Sequence, residues 1–369
     1  MNQTGGVFHI GAGADLYLSG YGDGVYNLSG GALEIGGDSL LARYGSGATG
    51  TYDFNLGGGT LRVTGSDLTS DVDINVVDND PTVVVTASRI DTNGFNATLS
   101  GGINGDGALV KTGAGQLNLT GNVTRSLAYL SAAEGTVAHQ AGTTTMGSLL
   151  VGAYSTSPSG SLELSGGVLN VTGADGAAYV GAGTGANSGT LSITGGTLNL
   201  GDSGDPATRV EFYVGAFGTS GTGTVNHSGG TVNKLSDEGT FQIGNQATGI
   251  YNLSGTGVVN IYGPNSMVLG RSSATNAGDG TLNVSGGTLN FLEGADMSIG
   301  GTLITEPAGA GTGTVNQTGG TISMGNGSVV IGQRGNGTYN LSGGVLDATG
   351  LSGNGESRPV AGRSYRNGS

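Results

Sequence analysis

A twelve-residue phrase recurs along this chain, and that recurrence limits the possible folds more than any single residue does. Gly189–Leu200 reads GTLSITGGTLNL and Gly280–Phe291 reads GTLNVSGGTLNF. Close relatives of the phrase begin at Gly24, Gly160, Gly223, Gly313 and Gly337, and looser ones at Gly50 and Gly249. A second mark accompanies it: two or three residues, mostly apolar, that close on a glycine. It reads YVG at Tyr179 and Tyr213, QIG at Gln242, VLG at Val268, SIG at Ser298 and VIG at Val330. The closing glycine falls at 152, 181, 215, 244, 270, 300 and 332, a drifting period of about 30 residues. One such repeat cannot bury its own apolar face, so the pattern predicts a stacked solenoid.

Inside the phrase the residues alternate. In Gly280–Phe291, Leu282 and Val284 share one face while Thr281, Asn283 and Ser285 share the other. After Gly286 and Gly287 the alternation resumes, with Leu289 and Phe291 apolar and Thr288 and Asn290 polar. A period of two marks half-buried strands. The glycine pair bends the chain, because glycine takes positive φ at little cost. Met297–Ile299 supplies a third strand, and a Gly/Ser/Thr/Asn loop of variable length absorbs the drift. The expectation is an all-β parallel β-helix with three short strands per coil of about 30 residues. At a strand spacing of ~4.8 Å it would run to roughly 12 coils and about 60 Å. No stretch has helical periodicity.

Composition narrows the partners. Glycine accounts for 80 of 369 residues and lacks a three-residue period, which excludes collagen. The ordered alternation of Val, Leu and Ile argues against disorder. The net charge is −14, with 12 Lys and Arg spread along the chain. No basic stripe exists to neutralise phosphates, so nucleic acid and anionic membrane surfaces are poor partners. There is no cysteine, which suits an exported bacterial protein. No apolar run is long enough for a membrane helix. Met1–Gly6 matches Val315–Gly320 in the run NQTGG, so the chain is expected to begin mid-coil, with no secretion leader.

Four regions follow: solenoid coils in 1–65, a divergent segment in 66–146, regular coils in 147–350, and a polar tail in 351–369 carrying Arg358, Arg363 and Arg366. The divergent segment contains Ile90-Asp91-Thr92-Asn93-Gly94, then Thr98-Leu99-Ser100-Gly101. Further on, Gly107, Leu109, Lys111, Gly113, Gly115, Leu117, Leu119 and Gly121 follow one another at alternate positions. These residues resemble the passenger-associated transport repeat of autotransporter passengers, G-x-L-x-K-x-G-x-G-x-L-x-L-x-G. The resemblance implies a right-handed β-helix, secretion across the outer membrane and display on the surface of a Gram-negative bacterium. A complete member of that family would add a C-terminal membrane β-barrel of alternating strands, which this sequence does not contain.

Several residues invite a chemical reading. Gly201-Asp202-Ser203-Gly204-Asp205-Pro206 resembles the nucleophile motif of trypsin-like proteases, in which Ser203 would attack with a histidine as base. The same residues are turn formers lying between two solenoid strands, and that reading is preferred. His227 occupies a slot held by Val284 and Gln317 in other repeats, so it is expected to point inward at a bend. His9 and His139 have no evident partner. Asp67, Asp71, Asp73, Asp78 and Asp80 form an acidic cluster that would suit calcium, but a solvated insertion with a turn at Asp78–Pro81 is the expectation. A polysaccharide-cleaving β-helix would need carboxylates with Lys or Arg on one face of adjacent coils, whereas Lys111 and Lys234 are the only lysines. Thr197 with Asn199, Thr231 with Asn233, and Thr288 with Asn290 repeat a T-x-N pattern. It reads as a ladder joining coils rather than a flat array for ice or carbohydrate.

The sequence therefore predicts no catalytic, cofactor or metal site. It predicts a secreted or surface-displayed bacterial scaffold or adhesin, with end-to-end self-association or a carbohydrate or host surface as partner. The alternative is a polysaccharide-active enzyme or a carbohydrate-binding module.

Overall fold

The phrase folds as its alternation requires. In Asp279–Val284 the buried positions are Gly280, Leu282 and Val284, and in Thr288–Phe291 they are Leu289 and Phe291. Gly287, at φ +73°, turns the chain between the two strands. Met297–Ile299 forms the third strand and is buried throughout. The computed structural model describes residues 1–36, 39–77, 87–153, 159–183, 185, 187–202, 209–218, 221–235, 237–263, 267–273, 276–301, 311–349 and 360–361. Among them are strands and turns and no helix. None contributes a helix long and apolar enough to cross a membrane.

The chain forms two compact units, Met1–Leu150 with Gly160–Leu169, and Val151–Ser159 with Asn170–Ser369. In the second unit the strands stack in parallel columns. Leu191, Val225, Tyr251, Leu282, Val315 and Tyr339 are in register along the first column. Leu198, Val232, Val259, Leu289 and Ile322 follow one another along the second. Val180, Val214, Ile243, Leu269, Ile299 and Ile331 make the third. This is the parallel β-solenoid with three strands per coil that the sequence predicts. Its core is a set of apolar columns, each side chain packed between its equivalents in neighbouring coils.

The first unit uses the same parallel pairing but with shorter coils. Ala97–Leu99 pairs with Leu68–Ser70 on one side and Gln116–Leu119 on the other. Gln116–Leu119 in turn pairs with Gly135–His139. Asparagine side chains bonded across successive coils lie 24 to 34 residues apart in the second unit. Between Asn96 and Gln140 the step falls to 20 or 22. The part of the divergent segment from Asn96 to Gln140 therefore stays within the solenoid on shorter coils. Its Leu109, Leu117 and Leu119 are core residues. At Gly115 the neighbouring coil passes so close that an added Cβ would sit 1.5 Å from the Phe95 carbonyl oxygen.

The closing glycines form a column of their own. All seven, from Gly152 to Gly332, take positive φ, between +55° and +86°. In the interior coils each meets the opening glycine of a later phrase. A Cβ on Gly215 would lie 1.9 Å from the Thr248 carbonyl oxygen and 2.8 Å from the Gly249 nitrogen. A Cβ on Gly223 would lie 2.2 Å from both the Gly215 nitrogen and the Val180 oxygen. Backbone rests on backbone here, which explains why the sequence returns to glycine at these two points of every coil.

Candidate functional site

Stacking satisfies the strands, and at the bends between them carbonyl groups take a further, side-chain donor. The buried polar side chains supply it. Lys111 Nζ donates to the Thr112, Gly113 and Glu134 carbonyls at 2.9, 2.6 and 3.0 Å. The Glu134 carboxylate accepts the Gly113 N–H at 2.9 Å. Lys234 Nζ donates to the Tyr262 carbonyl at 2.9 Å. Arg125 donates to the Gly121 and Ala141 carbonyls, both at 3.2 Å. Gln3 reaches Gly6 and Ala32, and Gln317 reaches Gly320 and Val345. Burial pulls both lysines down to about 8, against an ordinary value of 10.5.

His227 belongs to the same set and points inward as predicted. Its Nε2–H donates to the Gly230 carbonyl at 3.2 Å, and its Nδ1 accepts the Tyr251 hydroxyl at 2.9 Å. His139 uses the other tautomer. Its Nδ1–H donates to Gly166 at 3.0 Å and its Nε2 accepts from Thr144 at 3.1 Å. Burial lowers both imidazoles below 6.5. Both nitrogens of each ring are engaged inside the core.

A pairing rule emerges along this column. Gln3, His227 and Gln317 each accept a hydroxyl from a tyrosine one coil on: Tyr26, Tyr251 and Tyr339 respectively. Where the slot holds an apolar residue, the next coil carries an apolar one, as with Leu28 and Phe54, or Val284 and Val315. The rule is testable at its most buried example. His227→Leu, which copies Leu253 at the same register, strands the Tyr251 hydroxyl and should cost about 2 kcal/mol in urea unfolding. Adding Tyr251→Phe should recover at least about 1 kcal/mol of it. Strictly additive losses would show that the two side chains do not depend on each other.

The acidic residues act as caps between coils. Asp67 accepts the Asn96 backbone and side-chain N–H groups at 2.8 and 3.0 Å. Asp71 accepts Ala42 N–H at 3.0 Å, and Asp73 accepts Gly102 N–H at 2.6 Å. Backbone donation from Asn96 lowers the Asp67 pKa. Asp78, Asp80 and Pro81 lie outside the described residues. Among the described residues no three His, Asp or Glu converge as metal ligands. Of the protease-like motif, Gly201 and Asp202 are described, while Ser203, Gly204, Asp205 and Pro206 are not. His9 is exposed and lies 3.2 Å from Glu34. The tail arginines Arg358, Arg363 and Arg366 are also outside the described residues.

The T-x-N asparagines form a ladder with Asn170 and Asn260, which hold the same place in V-x-N runs. Asn199, Asn233, Asn260 and Asn290 each donate an amide N–H to the preceding coil's asparagine carbonyl, all at 2.9 Å. A second ladder joins Asn226, Asn252, Asn283, Asn316 and Asn340 at 2.8 or 2.9 Å. Its signal is the asparagine of the YNL, LNV and VNQ phrases. Sequence reasoning passed over Arg125, and named Gln317 only as an occupant of the slot that holds His227. It missed Glu211 too, a nearly buried carboxylate that accepts from Arg209, Thr240 and Gln242.

One open recess, of about 480 Å³, lies in the first unit and is lined by Arg43, Tyr52, Asp53, Asp73, Asn75 and Asn104 among others. The Arg43 guanidinium sits over the Tyr52 ring, 5.6 Å from its centroid. Asp73 and Tyr52 are joined through the Asp73 N–H and the Tyr52 hydroxyl. Comparison with family models, with curated proteins and with solved structures finds no match to this chain.

Proposed function

We propose that this chain is a non-enzymatic scaffold, a stiff β-solenoid spacer or adhesive stalk carried outside a Gram-negative cell. The observation that supports this reading best is how the polar groups are used. The lysines, the two buried histidines and the described acids of the cluster all bind bends or neighbouring coils. Such side chains hold coils together, and the lysines and histidines among them are buried. The resemblance of Ile90–Asn122 to a passenger-associated transport repeat supports the extracellular placement. Its Leu109, Lys111, Gly113, Gly115, Leu117 and Leu119 each have a coil-packing role here. The acidity suits a surface that stays soluble and avoids polyanions.

The test is display. The chain is placed between a secretion leader and a membrane β-barrel anchor in a Gram-negative host. It should be labelled by antibody on intact cells and resist trypsin there as a folded block. Retention inside the cell, or release of reducing ends from acidic polysaccharides by the purified chain, would overturn the reading.

The recess at Tyr52 favours a second reading, carbohydrate recognition. A cation, an aromatic ring, carboxylates and planar amides are the groups that bind sugar hydroxyls and faces. Binding on a glycan array that disappears in Tyr52→Ala would support it.

A further inference from the structure

The regular coils keep two habits in the strand that opens each phrase. The strand begins its phrase on a glycine, with Gly189, Gly223, Gly249 and Gly280 in register, and threonine usually follows, as at Thr190, Thr224 and Thr281. The first unit departs from both habits at one place. Tyr52 pairs with Gly24 and stands where the opening glycine belongs. Asp53 follows it, and Asp73 holds the same place one coil on, each just before the paired Phe54 and Ile74. All three departures line the open recess of about 480 Å³, together with Arg43, Asn75 and Asn104. That size lies within the range of small-molecule sites. The strands that carry it are paired on both sides. Tyr52–Leu56 lies between Gly24–Ile35 and Ile74–Val76, and Ser39–Arg43 lies between Leu16–Ser19 and Leu68–Ser70.

Elsewhere the buried polar side chains are bonded to bends and to neighbouring coils. In the recess they keep bonding capacity. Among the described residues, Asp53 makes no hydrogen bond and no ion pair. Asp73 accepts the Gly102 N–H on one carboxylate oxygen and leaves the other. Asn75 gives its amide N–H to Asn55, but among the described residues Asn104 gives none to Asn75. The asparagine ladder stops there, and the Asn75 carbonyl oxygen has no donor. Arg43 donates through Nε to the Gly50 carbonyl at 2.8 Å and keeps both Nη groups. Tyr52 accepts the Asp73 N–H at 3.1 Å and keeps its own O–H to give.

We propose that this recess binds a hexosamine whose amino group is free and protonated, as in a chain of β-1,4-linked glucosamine. The proposal rests on the carbohydrate reading of the recess and names the sugar. Asp53 and Asp73 stand side by side on adjacent coils, at a strand spacing of ~4.8 Å. Among the described residues no cation of the chain pairs with either. An ammonium group has three donors, enough for both carboxylates and the Asn75 carbonyl oxygen. The sugar hydroxyls then accept from the Arg43 Nη groups, the Asn104 amide and the Tyr52 hydroxyl. A uronic or sialic acid would set its carboxylate against two carboxylates and one guanidinium. A bare divalent cation would meet Arg43, and among the described residues no third His, Asp or Glu converges there. The net charge of −14 draws a cationic glycan toward the chain.

Isothermal titration of the full chain at about pH 6, where the sugar amine is protonated, tests this. The probe is fully deacetylated chitotetraose, and the comparators are N-acetylated chitotetraose, spermidine and calcium chloride. The amino tetramer should bind one site per chain with a dissociation constant of about 1 mM or tighter, and each comparator at least about tenfold more weakly. Asp53→Asn should weaken the amino tetramer at least about tenfold and leave the urea midpoint unchanged, since Asp53 holds nothing in the fold. Asp279→Asn removes the same charge from an exposed position on a regular coil and should leave the affinity unchanged. Spermidine or calcium binding as tightly, equal weakening by the two substitutions, or no binding of the amino tetramer would each overturn the proposal. An acetylated tetramer that binds as tightly, and is lost in Tyr52→Ala, removes the ammonium site and leaves the carbohydrate reading in place. Binding of neither tetramer removes both.

Discussion

Gly215→Ala should unfold the second unit or cost it roughly 4 kcal/mol or more, whereas Gly294→Ala should cost about 1 kcal/mol. Both glycines take positive φ, +70° and +81°, so both substitutions carry the left-handed strain of an L-residue. They differ in what surrounds them. Nothing lies within 4 Å of the Cβ position at Gly294. At Gly215 the Thr248 carbonyl carbon and oxygen and the Gly249 nitrogen lie within 2.8 Å. These are backbone atoms of a strand held by ladders on both sides, so they cannot rotate aside as a side chain would. Relieving the clash means lifting one coil from the next, and apolar columns and amide ladders part together. A marginally stable protein has only about 5–15 kcal/mol in total. Urea unfolding followed by circular dichroism reads both variants. Equal midpoints for the two would mean that backbone does not rest on backbone at the closing glycines.

The position of that glycine column was legible before any coordinates, because each closing glycine ends a strand at a fixed place in the repeat. The apolar columns were legible for a similar reason: period two in Leu282, Val284, Leu289 and Phe291 has one physical meaning. The shortened coils between Asn96 and Gln140 were not. A coil is recognised in sequence by the distance to the next similar phrase, and a coil stripped of its loop changes that distance. The interior plugs were half legible. The alternation turned His227 inward. Only the stacked coil shows that a tyrosine 24 residues away makes a polar residue necessary there. Arg125 and Glu211 occur once each in their surroundings, and a feature that does not repeat leaves no mark in a reading built on repetition. The acids of Asp67–Asp73 looked like a cluster because they are close in sequence. In the fold, alternate residues are carried to different neighbours, and each carboxylate caps a different backbone N–H.

Stability should rise from mildly acidic pH to a maximum between about pH 9 and 10, then fall, even though the chain is strongly acidic. Three groups of buried side chains set this shape. Burial lowers His139 and His227 below 6.5. As pH falls through that value the unfolded chain takes up protons before the folded one, and stability is lost. Burial brings Lys111 and Lys234 down from 10.5 to about 8. Between those values the unfolded chain holds more protons, so stability climbs with pH. For each lysine the climb from pH 8 to pH 10 is at most about 2 kcal/mol, less whatever solvent screening removes. Burial pushes Tyr26 and Tyr339 up from 10.0 to about 12 and raises Tyr213 and Tyr251 as well. Above about pH 10 the unfolded chain loses phenol protons that the folded chain keeps, and stability drops. Lys234→Leu isolates one contributor, since Leu200 and Ile261 occupy neighbouring positions of that column. The variant should flatten about half of the climb between pH 8 and 10 and leave the losses at either extreme unchanged. At pH 7 it should also be weaker than the parent by about 1–3 kcal/mol, because the buried Tyr262 carbonyl loses a charged donor. Urea midpoints at pH 5.5, 7, 8, 9, 10 and 11 for parent and variant trace both curves. A parent curve that is flat or falling from pH 8 to 10 would show that these lysines are not held in the interior.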